Sequence, residues 1–195
     1  MKMDLIICGV GGQGNLLASV AIANYAMRKG LNVIGTETIG AAQRGGSVVS
    51  HLRISEQRIY SPTVPAGTAD FILGFELVEA LRHIDRLKPE GCYIVNSETV
   101  PTVLCSMGLD RYPTTEAILQ ELRQRSARGY LINASEKARE LGGAIMTNIV
   151  LLGALSRVIP FIDKEDLADV LTGILPPKVL EINLEALEAG YNMVA

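Results

Sequence analysis

Six consecutive residues near the amino terminus, Gly9-Val10-Gly11-Gly12-Gln13-Gly14, have the composition of a phosphate-binding turn. They follow the apolar run Leu5–Cys8 and precede a stretch rich in Ala and Leu that predicts a helix from Asn15 to Met27. The first N–H groups of such a helix can bind an anion. Glu37 follows at the roughly 20-residue spacing at which dinucleotide-binding enzymes bind a ribose hydroxyl. Glycines that only let the helix pack closely on the strand would give the same pattern, so both interpretations stay open.

A second glycine segment, Gln43-Arg44-Gly45-Gly46, follows the second predicted strand. Ligands of open α/β sheets bind beyond the carboxyl ends of the strands, so Arg44 could reach the same end of the sheet as the first turn. Its guanidinium would there bind a phosphate or a carboxylate. The alternative is that Arg44 ties its own loop to Glu37 or to a backbone carbonyl.

Acid–base groups are scarce in this chain, which has only two histidines. His51 lies on the polar face of the alternating run VVSHLRIS, a strand that we expect near the edge of the sheet and antiparallel. His83 lies on a predicted helix, and a solvated or hydrogen-bonded side chain is expected at both positions. A dehydrogenase needs an acid–base residue and a substrate domain, and the sequence indicates neither. We therefore predict no catalytic residue in this chain.

Composition excludes several classes of function. Hydrophobic residues make up 48% of the 195 residues and the net charge is −3, which indicates a folded protein and argues against nucleic-acid binding. The three cysteines, Cys8, Cys92 and Cys105, are odd in number and widely spaced. They predict reduced thiols in a cytoplasmic protein and no iron–sulfur cluster held by this chain alone. Neither a metal site, a secretory signal nor a membrane span is predicted.

The order of predicted elements indicates an α/β fold of three layers. It is Rossmann-like, with a mostly parallel sheet, helices on both faces and a helical carboxyl-terminal segment. The first strand, helix and second strand read as the opening of a βαβ unit. We expect one domain over residues 1–195, helical from about residue 144 with breaks at Pro160 and Pro176-Pro177. The apolar segment AIMTNIVLLGALSRVI predicts a central buried helix or one covered by a partner.

Four segments together resemble a known family: GVGGQGNLLAS, GAAQRGGSV, SPTVPAGTADFILGFELVEALR and NIVLLGAL. They are similar to the gamma-type subunit or domain of 2-oxoacid:ferredoxin oxidoreductases, and most of all to the small subunits of the indolepyruvate type. The resemblance covers most of the chain. It implies a supporting subunit and places the missing catalytic machinery on another chain.

The resemblance implies an oxidative decarboxylation of 2-oxo acids with thiamine diphosphate. Electrons pass through [4Fe-4S] clusters to ferredoxin, and the acyl group is typically delivered to coenzyme A. Thiamine diphosphate and clusters are expected on a larger alpha subunit, and no cofactor is expected on this chain alone. Aryl pyruvates are the expected substrates, with pyruvate, 2-oxoisovalerate and 2-oxoglutarate as alternatives. A stand-alone NAD(P)-binding domain is the alternative of another class, and self-association stays open.

The family motifs carry over residue by residue to two groups of candidate binding residues. The first turn supplies Gly9, Gly11, Gly12, Gln13 and Gly14. The second group is Glu37, Gln43, Arg44, Gly45 and Gly46. Both groups are expected to form one wall of an interface near the active site, facing coenzyme A or the alpha subunit.

Overall fold

The structure is a computed structural model that describes residues 1–39 and 45–194. The strands of the described part are β1 (Lys2–Val10), β2 (Asn32–Ile39), β3 (Ser47–Ser55), β4 (Ala69–Gly74), β5 (Leu87–Asn96) and β6 (Arg128–Ile132). Its α-helices are α1 (Asn15–Arg28), α2 (Leu77–Arg82), α3 (Val103–Ser106), α4 (Thr115–Arg125), α5 (Ala134–Glu140), α6 (Thr147–Val158), α7 (Lys164–Ile174) and α8 (Pro177–Asn192).

These strands form one sheet in the order β2-β3-β1-β4-β5-β6. Strands β1, β4, β5 and β6 are parallel, as predicted, whereas β3 is antiparallel to both of its neighbours. The simple βαβ opening is therefore modified, because β2 pairs with β3 and not with β1. The connection between β2 and β3 is too short for a crossover and so requires antiparallel pairing. Strands β1 and β2 still run in the same direction and end at the same edge of the sheet.

Two apolar layers cover the sheet and confirm the three-layer prediction. One layer includes Leu5 and Ile7 of β1 together with residues of α1 and of the helices α5 to α8. The other includes Ile6 and Cys8 with residues of α2 and α4. Strand β1 is a continuous apolar run because successive side chains point to opposite, equally buried faces.

Strand β3 lies next to the edge strand, but its polar face is not open to solvent. His51 on that face is buried, because the loop that contains Val64 covers it. Val64 is fully buried, its N–H donates to Nδ1 of His51 at 3.1 Å, and its carbonyl accepts from Nη1 of Arg86 at 2.6 Å. The segment SPTVPAG therefore packs on the sheet through one apolar side chain, which its prolines and glycine did not reveal.

The carboxyl-terminal helices follow the predicted breaks, and α6 is buried almost all round. It packs against α8 at two glycines. A Cβ on Gly153 would lie 2.0 Å from the Leu187 carbonyl oxygen, and one on Gly190 would lie 1.8 Å from that of Val150. The helix backbones can approach this closely only because both positions lack a side chain. No helix of the described residues is long and apolar enough to cross a membrane.

Replacing Gly190 with Ala tests this helix contact. The new methyl would meet backbone, which cannot rotate away, so we expect the free energy of unfolding to fall by about 2–3 kcal/mol. Gly173→Ala is the matched control, because its Cβ would meet only the mobile guanidinium of Arg28 at 3.1 Å. Helix propensity predicts that the control is neutral or stabilising by up to about 1 kcal/mol. Urea unfolding of both variants measures the difference, and equal midpoints would contradict the close approach.

Candidate functional site

The first glycine turn connects the end of β1 to the start of α1. The N–H of Gln13 donates to the Val10 carbonyl at 3.1 Å, and Oε1 of Gln13 accepts from the Val10 N–H at 2.8 Å. Gly12 and Gly14 have φ values of 106° and 89°, in the left-handed region that favours glycine. Gln13 therefore closes the turn with its side-chain oxygen, a structural role that the sequence did not reveal.

Two glycines of the turn are also required by close packing. A Cβ on Gly9 would lie 2.7 Å from Cβ of Phe75, and one on Gly14 would lie 2.5 Å from Nδ2 of Asn148 at the start of α6. A Cβ on Gly12 would meet nothing within 4 Å. Close packing thus accounts for Gly9 and Gly14, while Gly12 faces open space.

The two glycine segments are joined directly through their backbones. The N–H of Gly11 donates to the Gly46 carbonyl at 2.8 Å, and the N–H of Gly45 donates to the Gly11 carbonyl at 3.2 Å. The segments expected to converge at one end of the sheet therefore meet at Gly11. Gln43 and Arg44, the other predicted residues of the second segment, lie outside the described residues.

A pocket of about 460 Å³ lies beside this junction. It is lined by Val10, Gly11, Gly12, Gly14, Asn15, Leu16, Glu37 and Val48. The fold thus brings Glu37 to the same pocket as the glycine turn, although β3 separates their strands. The pocket includes Asn15 and Leu16 at the start of α1, where unpaired N–H groups carry partial positive charge. The lining also includes Glu37, whose carboxylate accepts from Oγ of Ser50 at 3.4 Å.

Asn15, the first residue of α1, contributes a polar group that sequence reasoning missed. Its side chain is 4% exposed, and neither its amide nitrogen nor its amide oxygen has a hydrogen-bond partner within the described part of the chain. An unpaired buried polar group costs about 1–3 kcal/mol, so such groups in native proteins usually bind a water or a ligand. A polar residue in an otherwise apolar first helical turn was the available signal.

Two buried carboxylates on the opposite face of the sheet were also missed. Glu76 follows β4, and its carboxylate accepts from the N–H groups of Glu79 and Val100 at 2.9 and 3.0 Å and from the Tyr112 hydroxyl. Glu79 accepts from Oγ of Ser47 at 2.5 Å. Burial raises the pKa of the Glu79 carboxyl, and burial followed by the bond to Glu76 raises the pKa of Tyr112. Both acids lie in the segment FELVEALR, but the spacing of residues along a helix did not predict that they are buried.

Burial shifts the pKa values of both histidines and of two cysteines, and these side chains are not among the residues that line the pocket. Burial, assisted by Arg86, lowers the pKa of His51 to about 4, and burial also lowers the pKa of His83. Burial raises the pKa of the Cys8 thiol and raises that of Cys92 to about 11. Over residues 1–39 and 45–194, no group of three His, Cys, Asp or Glu side chains is arranged to hold a metal ion.

Comparison with known proteins identifies the fold and the motifs. A family model described as pyruvate ferredoxin/flavodoxin oxidoreductase matches residues 4–193. The chain belongs to this family. The indolepyruvate oxidoreductase subunit IorB of Archaeoglobus fulgidus is 39% identical over 98% of this chain and 95% of its own length. The 2-oxoglutarate synthase subunit KorC of Methanothermobacter thermautotrophicus is 26% identical over 100% of this chain and 96% of its own length.

A solved structure shows the same domain within a longer chain. The 2-oxoglutarate:ferredoxin oxidoreductase from Magnetococcus marinus, with 2-oxoglutarate, coenzyme A and succinyl-CoA bound, matches with a TM-score of 0.76 and 26% identity. The match covers 98% of this chain and 31% of that chain. The family predicted from the four segments is therefore confirmed, and the chain is a subunit of an oxidoreductase. Because its full-length relatives are subunits, the comparison supports a multi-subunit assembly.

The buried histidine predicts a pH-dependent stability. His51 has a pKa of about 4 when folded, below its ordinary value of about 6.5, so the unfolded chain takes up the proton first as pH falls. Stability is therefore lost between about pH 6.5 and 4 and is fully present above that window. His51→Asn keeps an oxygen acceptor for the Val64 N–H and cannot titrate, so its stability should depend less steeply on pH. Urea unfolding from pH 4 to 8 measures this, and parallel curves for both proteins would contradict it.

Proposed function

We propose that this chain is the beta subunit of a heteromeric indolepyruvate:ferredoxin oxidoreductase. The enzyme would oxidatively decarboxylate aryl pyruvates and pass the electrons to ferredoxin. The main support for this proposal is the 39% identity, over nearly the full length of both chains, to a subunit named for indolepyruvate. Full-length relatives named for 2-oxoglutarate are 26% or 27% identical. That difference favours aryl pyruvates over 2-oxoglutarate.

The proposed division of labour places thiamine diphosphate and the [4Fe-4S] clusters on a larger alpha subunit. The buried thiols of Cys8 and Cys92, whose pKa values burial raises, do not suit cluster ligation. His51 and His83 are buried or half-buried and neutral, which does not suit proton transfer to a substrate in the pocket. In this proposal the chain, a single-domain subunit, contributes a binding wall.

The pocket beside the glycine junction is a candidate site for part of coenzyme A, which would supply the thiol that accepts the acyl group. The start of α1 would bind a phosphate through its unpaired N–H groups. Glu37 would accept a hydrogen bond from a ribose hydroxyl or an amide, and its charge would keep phosphates at the α1 end. The buried Asn15 amide could supply a further donor and acceptor after a change of rotamer. The bound coenzyme A in the Magnetococcus marinus relative supports this choice of ligand.

Activity of the assembled complex tests the proposed reaction. The tagged full chain is purified without oxygen from its native cell extract, and the eluate is assayed for reduction of a viologen dye. We expect dye reduction with indolepyruvate or phenylpyruvate that depends on coenzyme A, and several-fold lower kcat/KM with pyruvate and 2-oxoglutarate. Equal use of all four substrates would remove the aryl-pyruvate assignment. A chain that purifies alone, lacks activity and binds NAD at micromolar concentration would support the NAD(P)-binding alternative.

Leu16→Glu tests whether coenzyme A uses the pocket. Leu16 lines the pocket in the first turn of α1 and is 56% exposed, so a carboxylate there should repel a phosphate without disturbing the core. We expect the KM for coenzyme A to rise about tenfold, which corresponds to about 1.4 kcal/mol of lost binding. Met27→Glu is the matched control, because Met27 is 54% exposed at the other end of the same helix. Equal KM values for both variants would place coenzyme A elsewhere.

A further inference from the structure

The carboxylate of Glu79 is buried where no part of the proposed function requires a charge. Glu79 is 5% exposed and lies on the face of the sheet opposite the pocket. The described hydrogen bonds and ion pairs give this carboxylate two partners. Oγ of Ser47 donates to Oε2 at 2.5 Å, and Nε of Arg82 lies 3.3 Å from Oε1. An apolar side chain at this position would avoid the cost of burying a charge, so the interaction itself needs an explanation.

Ser47 connects Glu79 to the glycine junction. It is the first residue of β3 and directly follows Gly46, whose carbonyl accepts from the Gly11 N–H. Ser47 also pairs with Val10, the last residue of β1, across the antiparallel ladder. The hydrogen bond from Ser47 to Glu79 therefore acts within one residue of the contact that joins the two glycine segments.

Helix α2 provides a rigid support for this interaction. The buried carboxylate of Glu76 caps the helix by accepting from the Glu79 N–H and also accepts from Val100 and Tyr112. Glu79 is thus fixed by its own helix, and the side chain of Arg82, its second partner, is 52% exposed. If Ser47 moved away, a buried carboxylate would lose one of its two described partners, which is energetically costly.

We propose that Glu79 is a positioning residue that fixes Gly45 and Gly46 against Gly11, and so positions Gly11 and Val48, which line the pocket. It acts through Ser47 and the Gly46–Gly11 hydrogen bond from the opposite face of the sheet. Its predicted effect on coenzyme A rests on the proposed function. Its effect on the junction does not.

Hydrogen exchange of the full chain tests the junction independently of any ligand. We expect the amides of Gly11 and Gly45 to exchange about tenfold faster in Ser47→Ala and Glu79→Ala, because the lost hydrogen bond favours opening. Glu79→Gln keeps an oxygen acceptor for Ser47 and should restore most of the protection. Arg82→Ala is the matched control, since it removes the ion pair and leaves the Ser47 hydrogen bond in place. Unchanged exchange in both alanine variants, or equal acceleration in Arg82→Ala, would overturn the proposal.

Kinetics of the assembled complex then test positioning. We expect Ser47→Ala and Glu79→Ala to raise the KM for coenzyme A several-fold while kcat changes little, with Glu79→Gln close to the wild type. An active complex with faster exchange but an unchanged KM would overturn the assignment as a positioning residue of the pocket. A wild-type complex without coenzyme A dependence would instead refute the proposed function, and the exchange result would still decide whether Glu79 holds the junction.

Discussion

Two backbone hydrogen bonds, from Gly11 to Gly46 and from Gly45 to Gly11, join segments that are far apart in the chain, and the pocket lies beside this junction. They form because β3 returns antiparallel between β1 and β2, which starts β3 at the edge of the sheet where β1 ends. The same insertion places Glu37 across β3 from the glycine turn, on a wall of the same pocket. A simple parallel βαβ unit would put β2 directly beside β1 and would leave no room for the second segment at this point.

The two faces of the sheet contribute different physical chemistry to this edge. On the α1 face the pocket combines a helix start, apolar side chains and one carboxylate, a combination suited to binding an elongated anionic ligand. On the α2 face lie buried carboxylates whose charges are satisfied by backbone N–H groups and hydroxyls. Such a network favours one arrangement, because displacing any member removes a hydrogen bond from a buried carboxylate.

Membership in the pyruvate ferredoxin/flavodoxin oxidoreductase family agrees with a binding role for this chain. The described histidines and the buried cysteines have pKa values shifted by burial toward their neutral forms, which is the reverse of what proton transfer or thiolate chemistry needs. The domain also forms about a third of a longer chain in the Magnetococcus marinus enzyme. Relatives that are separate subunits and this longer chain together support a multi-subunit assembly.

The local sequence was sufficient for the family, the layer order, the parallel part of the sheet and the helix breaks. Glycine spacing, apolar periodicity and proline positions depend on neighbours close in the chain, and they predicted the first turn and the breaks between α6, α7 and α8. The start of α6 was predicted at about residue 144 and lies at Thr147. Tertiary structure alone decided that β3 separates β1 from β2, and that Val64 buries His51. It also decided that Gln13 closes its own turn, that Asn15 is left without a partner in the described residues, and that Glu79 binds Ser47. Each of these depends on which residues distant in sequence become neighbours, because burial and hydrogen-bond partners are set by packing across the sheet and not by residue type.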